Sequence, residues 1–127
     1  MQNVAASLGQ SLKIRSRLLQ GGNVHSKMTN PSTKELDILV STISIVSTLS
    51  ALELYDMSRV AHIVLDEADT LLDDSFNDDV LRFLRRFKFE GTAEDRLVQS
   101  TLVSATMPRS VETILGEVIP VRYHSDL

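Results

Sequence analysis

The chain has 127 residues, of which 43% are hydrophobic and 24% charged, and its formal net charge at pH 7 is -4. That length suits one domain with a real core, and the acidic balance excludes an overall basic field that gathers nucleic acid. The absence of cysteine excludes disulfides, thiolate zinc sites and cysteine nucleophiles. Because no apolar run is long enough to span a bilayer and no secretory signal opens the chain, we expect a soluble intracellular protein.

The first part of the chain predicts a helix, a strand and a loop. Residues 1–11 place Val4 and Leu8 at helical spacing, which favours a short amphipathic helix. Residues 12–19 alternate between apolar and polar side chains, as a half-buried strand does, and Gly21-Gly22 ends this strand in a turn. Residues 23–35 are rich in Ser, Thr and Asn and predict a loop.

A second strand, short and apolar, is predicted over residues 37–42, where it ends in the hydroxyl residues Ser41 and Thr42. Residues 43–54 then place Val46, Leu49 and Leu52 on one helical face. We expect this helix to pack on the core.

Residues 60–69 are the stretch around which the chain is organised. Apolar residues run directly into Asp66 and Glu67, a pattern typical of a strand that is buried on both faces of a parallel sheet. Ligands bind at the carboxyl edge of such sheets, and an Asp there suits Mg²⁺ beside nucleotide phosphates, while a neighbouring carboxylate can orient water. The alternative is an acidic first turn of the following helix, which the helix dipole favours.

Two helices are predicted after this strand, over residues 68–73 and from Asn77 to Gly91, the second with Val80 and Leu84 on its apolar face. The second helix carries the basic cluster of the chain: Arg82, Arg85, Arg86 and Lys88. Its alternatives are a solvated face that pairs with nearby acids and an RNA-binding patch. We favour the solvated face, because no exposed aromatic residue lies among the cations for stacking.

A fourth strand, over residues 96–103, opens into Ser104-Ala105-Thr106-Met107-Pro108. Hydroxyls at the end of one strand can hydrogen-bond a carboxylate at the end of the next, although a helix-starting turn is an alternative function for this segment. The last helix is predicted with Val111 and Leu115 facing the core, and a short strand is predicted to start over residues 119–121.

Gly21-Gly22, Thr42, Asp66-Glu67-Ala68-Asp69 and the segment 104–108 occur in an order that resembles the DEAD-box ATP-dependent RNA helicases. The resemblance covers about residues 1–121, the C-terminal half of the first, ATP-binding lobe, with residues 122–127 as a frayed tail. It implies an α/β fold, a partial RecA-like (P-loop NTPase type) doubly wound parallel sheet. We expect the phosphate-loop strand and helix, and the second helicase lobe, to be missing from this chain.

The resemblance also implies ATP and Mg²⁺ as cofactors of the full-length protein. Asp66 would hold the metal through water, and Glu67 would act with it in hydrolysis. Ser104 and Thr106 would pair with Asp69 and couple the nucleotide state to the handling of RNA.

RNA is the partner that the resemblance implies, and Gly22 and Thr42 are the residues that would contact it. The family continues from this threonine with Pro-Gly-Arg, whereas this chain has Ile43-Ser44-Ile45 and has lost the cation that grips the RNA backbone.

Two hypotheses follow for the function. The chain is a fragment of an RNA helicase that couples ATP hydrolysis to local unwinding of duplexes, or it is a truncated, non-catalytic module that binds RNA or protein. Under either hypothesis we expect the chain alone to be inactive, because it contains no Gly-rich phosphate loop with its lysine. Thr70-Leu71-Leu72-Asp73, in place of the family's more usual Met-Leu pair, is similar to members associated with mitochondria and nucleoli.

Overall fold

The computed structural model describes residue 7 and residues 13–19, 36–72, 77–92 and 94–119. Strands there are β1 (Ser16–Leu19), β2 (Ile38–Ser41), β3 (His62–Asp66) and β4 (Gln99–Val103). Helices there are α1 (Ile43–Ala51), α2 (Ala68–Leu71), α3 (Asn77–Leu84) and α4 (Arg109–Gly116). The chain divides into two compact units, Met1–Ser58 and Arg59–Leu127.

The first unit contains a parallel pair of strands, β1 and β2, with Ser16 opposite Ile38 and Leu19 opposite Ser41. Leu19, Leu49 and Tyr55 are buried together, and a shell of partly buried apolar residues packs against them: Leu39, Ile45, Leu54 and Met57. The guanidinium of Arg17 donates a hydrogen bond of 3.2 Å to the hydroxyl of Tyr55. Leu19 of the predicted strand and Leu49 of the predicted helix therefore meet in one cluster, whereas Leu52, which was predicted on the same helical face, is 54% exposed.

The second unit contains the parallel pair β3 and β4, with His62 opposite Gln99 and Asp66 opposite Val103. Its buried apolar residues lie on or next to the two strands and on or next to the helices α2, α3 and α4. They are Leu65, Ala68, Leu72, Val80, Leu81, Phe83, Leu84, Val98, Val111, Leu115 and Ile119. Parallel pairing joined by helices is the arrangement that the sequence predicts.

The prediction that the central strand is buried on both faces is wrong for this chain. Leu65 is buried, but Val64, which precedes it in β3, is 58% exposed. Val103 on β4 is 48% exposed. Alternate residues of a strand point to opposite faces, so one face of this pair carries core residues and the other is uncovered. Val64 and Val103 are therefore exposed apolar residues on that face.

Several predicted boundaries also differ. Helix α3 ends at Leu84 and not at Gly91, because the next amides turn back to closer carbonyls, as Phe87 N–H does to Leu84 O at 3.0 Å. The strand predicted over residues 96–103, β4, begins at Gln99, whose amide donates to Ala61 O at 2.9 Å. Ile119, where a short strand was predicted to start, forms a buried bend. Three other predictions lie outside the described residues: the helix over residues 1–11 apart from Ser7, the loop over 23–35 and the tail over 122–127.

In the part of the chain that the structure describes, no helix has the length and apolar character needed to cross a membrane.

Candidate functional site

Two neighbouring strands end together at the edge where the sequence predicts a site. β3 and β4 are parallel, and their final residues, Asp66 and Val103, lie opposite each other. The chain leaves both strands at the same edge, so the segments 67–69 and 104–106 follow side by side. Consecutive strands of a parallel sheet bring distant parts of the sequence to one edge in this way.

Asp66 and Glu67 stand at the turn from β3 into α2. An Asp66 carboxylate oxygen, Oδ1, accepts a 3.2 Å hydrogen bond from the backbone N–H of Glu67. Glu67 itself has φ 54° and ψ 48°, the left-handed conformation, and it precedes the first residue of α2. Left-handed backbone is unusual for a residue with a side chain and concentrates at functional sites. The side chain of Glu67 is exposed and forms no capping bond to the helix.

The carboxylate of Asp69 is held by a hydroxyl from the other strand's end. Thr106 Oγ1 donates to Asp69 Oδ2 at 2.8 Å, and the backbone N–H of Thr70 donates to Asp69 Oδ1 at 3.0 Å. The hydrogen bond from the Thr106 hydroxyl, the largest cause, and that from the Thr70 amide lower the pKa of Asp69 below its ordinary value. This carboxylate is therefore ionised at neutral pH and both of its oxygens have partners.

Ser104 contacts the backbones of the same two residues. Its Oγ accepts a hydrogen bond from the Asp69 N–H at 3.2 Å and donates one to the Thr106 carbonyl oxygen at 2.5 Å. The structure thus brings Asp69, Ser104 and Thr106 into one hydrogen-bonded group, which ties the end of β3 to the end of β4.

A metal ion at this edge would have few protein ligands. Within the described ranges no group of three or more His, Asp or Glu residues lies close enough to hold a metal. Mg²⁺ usually keeps several waters and is bound through one or two carboxylates together with substrate phosphates. Asp66 fits that limited role, because it offers one carboxylate to a metal ion. Its Oδ1 also accepts the hydrogen bond from the Glu67 amide.

The predicted RNA contacts belong to the first unit. Thr42 follows β2 and precedes α1, with an extended backbone (φ -77°, ψ 152°) and no side-chain bond to the helix. Its side chain is exposed. Gly22 lies outside the described residues, but Leu19 and Ser41 are opposite each other in register, so the chain leaves β1 and β2 at one edge.

Comparison with known proteins identifies the family. The family model for the DEAD/DEAH box helicases matches residues 1–114. The chain belongs to the DEAD/DEAH box helicase family.

Among the relatives of this DEAD/DEAH box chain are mitochondrial ATP-dependent RNA helicases of fungi, named MRH4. The chain is 35% identical to the one from Ajellomyces capsulatus over 119 residues, which are 92% of this chain and 18% of that protein. It is 39% identical to the one from Neurospora crassa over 85 residues, which are 67% of this chain and 13% of that protein. The chain therefore spans less than a fifth of the length of these relatives.

Solved structures of helicases share the fold. A Saccharomyces cerevisiae Dbp5 variant bound to a Gle1 variant and IP6 matches with a TM-score of 0.72 and 26% identity, over 93% of this chain and 28% of that chain. A hypothetical ATP-dependent RNA helicase from Sulfolobus tokodaii matches with a TM-score of 0.71 and 22% identity, over 93% of this chain and 34% of that chain. The expected fold class, a partial RecA-like α/β domain with parallel strands, is confirmed.

The basic cluster of this DEAD/DEAH box chain pairs with acids. Carboxylate partners are Asp79 for Arg82 at 3.4 Å, Glu117 for Arg85 at 3.7 Å and Asp95 for Lys88 at 2.8 Å. These pairs are exposed, and such pairs contribute little to stability. The preferred interpretation, a solvated and paired face, agrees with these contacts.

Sequence patterns missed two features of the site. The left-handed backbone of Glu67 has no signal in the sequence, because Gly, Asn and Asp, and not Glu, are the residues enriched there. The pattern also indicated only that Ser104 would pair with Asp69, whereas its hydroxyl bonds two backbone groups. Serine hydroxyls have several possible partners, and the choice depends on the turn that follows the strand.

Proposed function

We propose that this chain is part of an ATP-dependent RNA helicase of the DEAD-box type, in which Asp66 and Glu67 serve ATP hydrolysis. The observation that carries the proposal is the meeting of residues 66–69 with residues 104–106 at the ends of paired parallel strands. The family match over residues 1–114 and the relatives' printed name, ATP-dependent RNA helicase, support it.

Each residue has a role that its geometry suits. Asp66 would hold Mg²⁺ through water, and Mg²⁺, when bound, neutralises charge on the nucleotide phosphates. Glu67, exposed at the turn after β3, would accept a hydrogen bond from the attacking water and orient it towards the γ-phosphate. Asp69 does neither, since both of its oxygens bond Thr106 and Thr70, and it would link the β3 end to the β4 end.

RNA would be bound in part by the first unit, where Gly22 and Thr42 follow the ends of β1 and β2. Dbp5 structures that contain RNA and ADP BeF3 are among the solved structures that this fold matches. Ile43-Ser44-Ile45 supplies no cation beside Thr42, so contact there would come from the hydroxyl and backbone groups. Such contacts depend on salt less than a Lys or Arg contact to phosphate does.

A mitochondrial location is proposed for the full protein. The relatives from Ajellomyces capsulatus and Aspergillus oryzae are both named as mitochondrial. Tagging the complete protein and imaging it with a mitochondrial marker tests this, and a nucleolar signal would support the other compartment that Thr70-Leu71-Leu72-Asp73 suggests.

The decisive experiment uses the longest native polypeptide that contains this chain, obtained from full-length transcripts. RNA-stimulated ATP hydrolysis is measured for the unchanged protein, for Glu67→Gln and for Glu90→Gln, an exposed glutamate outside the site. Loss of a general base costs about 10²- to 10⁴-fold in rate, so Glu67→Gln should lose activity on that scale while Glu90→Gln keeps it.

The 127-residue chain by itself should show no turnover, because it has no Gly-rich phosphate loop. Hydrolysis by the isolated chain that disappears in Glu67→Gln would refute this expectation. RNA binding without any hydrolysis by the longest native polypeptide would instead favour a non-catalytic binding module.

A further inference from the structure

The connection between α3 and β4 carries an exposed threonine, Thr92, that belongs to no helix or strand. Its neighbours Glu90, Gly91 and Glu94 are exposed as well. Exposed loop tips are the parts of a folded chain that other enzymes reach most easily. The Thr92 hydroxyl is therefore accessible to a modifying enzyme while the chain is folded.

Two carboxylates follow this hydroxyl in the sequence, Glu94 at the second position after it and Asp95 at the third. Protein kinases select their substrates partly by the pattern of charge around the acceptor hydroxyl. A kinase with a basic substrate groove therefore matches the segment 92–95, in which both charges are negative.

The fold distinguishes Thr92 from other hydroxyls with the same spacing to an acid. Among the described residues, Ser50 and Thr70 also precede an acidic residue by three positions. Ser50 is 5% exposed and lies out of the reach of a kinase. Thr70 lies within α2, and Leu72, two positions later, is buried, so this segment cannot enter a substrate groove unless α2 unpacks. Of these three hydroxyls, only that of Thr92 is both exposed and outside the helices and strands.

The Asp95 carboxylate closes the turn that contains Thr92. Its Oδ2 accepts hydrogen bonds from the Thr92 N–H at 2.8 Å and from the Thr92 hydroxyl at 3.1 Å, and its Oδ1 accepts one from Lys88 Nζ at 2.8 Å. The Asp95 N–H donates in return to the Thr92 carbonyl oxygen at 3.0 Å. The acid thus reaches back to the Thr92 amide as the acid of a capping box does. A change at the Thr92 hydroxyl therefore acts directly on the group that closes the turn.

We propose that Thr92 is a phosphorylation site of a serine/threonine kinase that selects acidic residues after the acceptor, and that phosphorylation opens the turn closed by Asp95. The kinase and Mg·ATP are the co-reactants. Thr92 Oγ1 forms a bond to the γ-phosphorus of ATP, the bond from that phosphorus to the β-phosphate oxygen breaks, and ADP leaves with the electron pair. A carboxylate of the kinase accepts the hydroxyl proton.

The phosphate changes the charge balance of this turn. A phosphothreonine carries a charge of about -1.5 to -2 at pH 7 and has no hydroxyl proton to donate. Its oxygens would lie beside Asp95 Oδ2, which is 3.1 Å from the hydroxyl oxygen, so like charges would face each other. Lys88, which pairs with Asp95 through a largely exposed side chain, is free to turn towards the phosphate.

The test incubates the folded 127-residue chain with Mg·ATP and casein kinase II, a kinase of this specificity, and maps the phosphate by mass spectrometry. Phosphate should appear on Thr92. Glu94→Gln should slow the modification of Thr92 about tenfold, because it removes one close charge pair with the kinase. Glu90→Gln is the matched control, since it removes an exposed glutamate before the acceptor and should leave the rate unchanged. Equal slowing by both variants would contradict the proposed recognition.

Opening of the turn is measured by NMR, as the rate at which the Asp95 amide exchanges its proton with solvent. In the phosphorylated chain this amide should exchange about fivefold faster, the change that loss of one ordinary hydrogen bond produces. The Val98 amide, which donates to Lys88 O at 2.8 Å at the base of the connection, should keep its rate. Unchanged exchange at Asp95 would overturn the opening of the turn.

Absence of phosphate from Thr92 would overturn the assignment of the site, even if Ser32 or Ser75, which also precede an acid by three positions, were modified. Phosphate on the buried Ser50 at an equal rate would overturn it too, because the kinase would then be acting on an unfolded chain. None of these measurements requires ATP hydrolysis or RNA binding by this chain, so the site stands or falls separately from the proposed function.

Discussion

Replacement of Glu67 by glycine should stabilise the chain relative to replacement by alanine. Both variants remove the carboxylate, but only glycine adopts φ 54° and ψ 48° without a clash at Cβ. Left-handed backbone costs a residue with a side chain about 1–2 kcal/mol, and glycine loses about 0.5–1 kcal/mol more conformational entropy on folding than alanine. The difference leaves Glu67→Gly about 0.5–1 kcal/mol more stable than Glu67→Ala.

Urea unfolding followed by far-UV circular dichroism measures this difference. With a urea dependence of about 2 kcal/mol per molar, the midpoint of Glu67→Gly should lie about 0.3–0.5 M above that of Glu67→Ala. Glu112 provides a matched control, because it lies within α4 in ordinary helical backbone. There, glycine should be about 1 kcal/mol less stable than alanine, the opposite sign.

The strain interpretation is refuted if Glu67→Gly unfolds at or below the midpoint of Glu67→Ala while the Glu112 pair shows the expected loss. If it holds, Glu67 is a residue at which stability is given up for the position of a carboxylate. In the longest native polypeptide, Glu67→Gly should then be more stable than Glu67→Ala, and it should be inactive because it lacks the carboxylate.

Other substitutions test the packing and the electrostatics. Gly91→Ala should lower the thermal midpoint, because its Cβ would lie 2.5 Å from Asp95 Oδ2, whereas Gly116→Ala, with nothing within 4 Å, should raise it; equal shifts would contradict this. Leu49→Ala should cost about 2–5 kcal/mol in urea unfolding, and the exposed Leu52→Ala about 0.5 kcal/mol or less; a similar cost for both would show that the cluster is not packed as described. The hydrogen bond from Lys88, with those from Thr92, lowers the pKa of Asp95 to about 2, so its contribution to stability is present above the unfolded pKa of about 4 and is lost as pH falls towards 2. Stability should therefore fall less over that pH range in Asp95→Asn than in the unchanged chain, and parallel curves would exclude the contribution.

Strand positions and the core were accessible from the sequence because they follow from hydrophobic pattern. Apolar runs that end in polar residues predicted β2, β3 and β4, and Leu49 and Leu84 were placed on buried helix faces. Whether both faces of a strand pair are covered could not be predicted from the hydrophobic pattern, since it depends on which other segments of the protein pack there. Val64 lies in an apolar run that is typical of a strand buried on both faces, and it is nevertheless exposed.

In the site, the residue types were predictable and their partners only in part. Order along the chain was enough to bring Asp69 near Ser104 and Thr106, because parallel strands end at a common edge. Backbone angles at Glu67 and the direction of the Ser104 hydroxyl depend on local turn geometry, which residue types do not specify. The roles in hydrolysis and RNA binding stay predictions.

The position of Tyr55 has a practical consequence for any unfolding experiment. The chain has no tryptophan and two tyrosines, and Tyr55 is buried in the first unit with its hydroxyl bonded to Arg17. In a Tyr123→Phe variant, tyrosine fluorescence comes from Tyr55 alone and reports the loss of that unit's core, whereas far-UV circular dichroism reports helices in both units. A chain with two compact units need not unfold in one step, so a gap between the two signals would measure how far the units unfold independently.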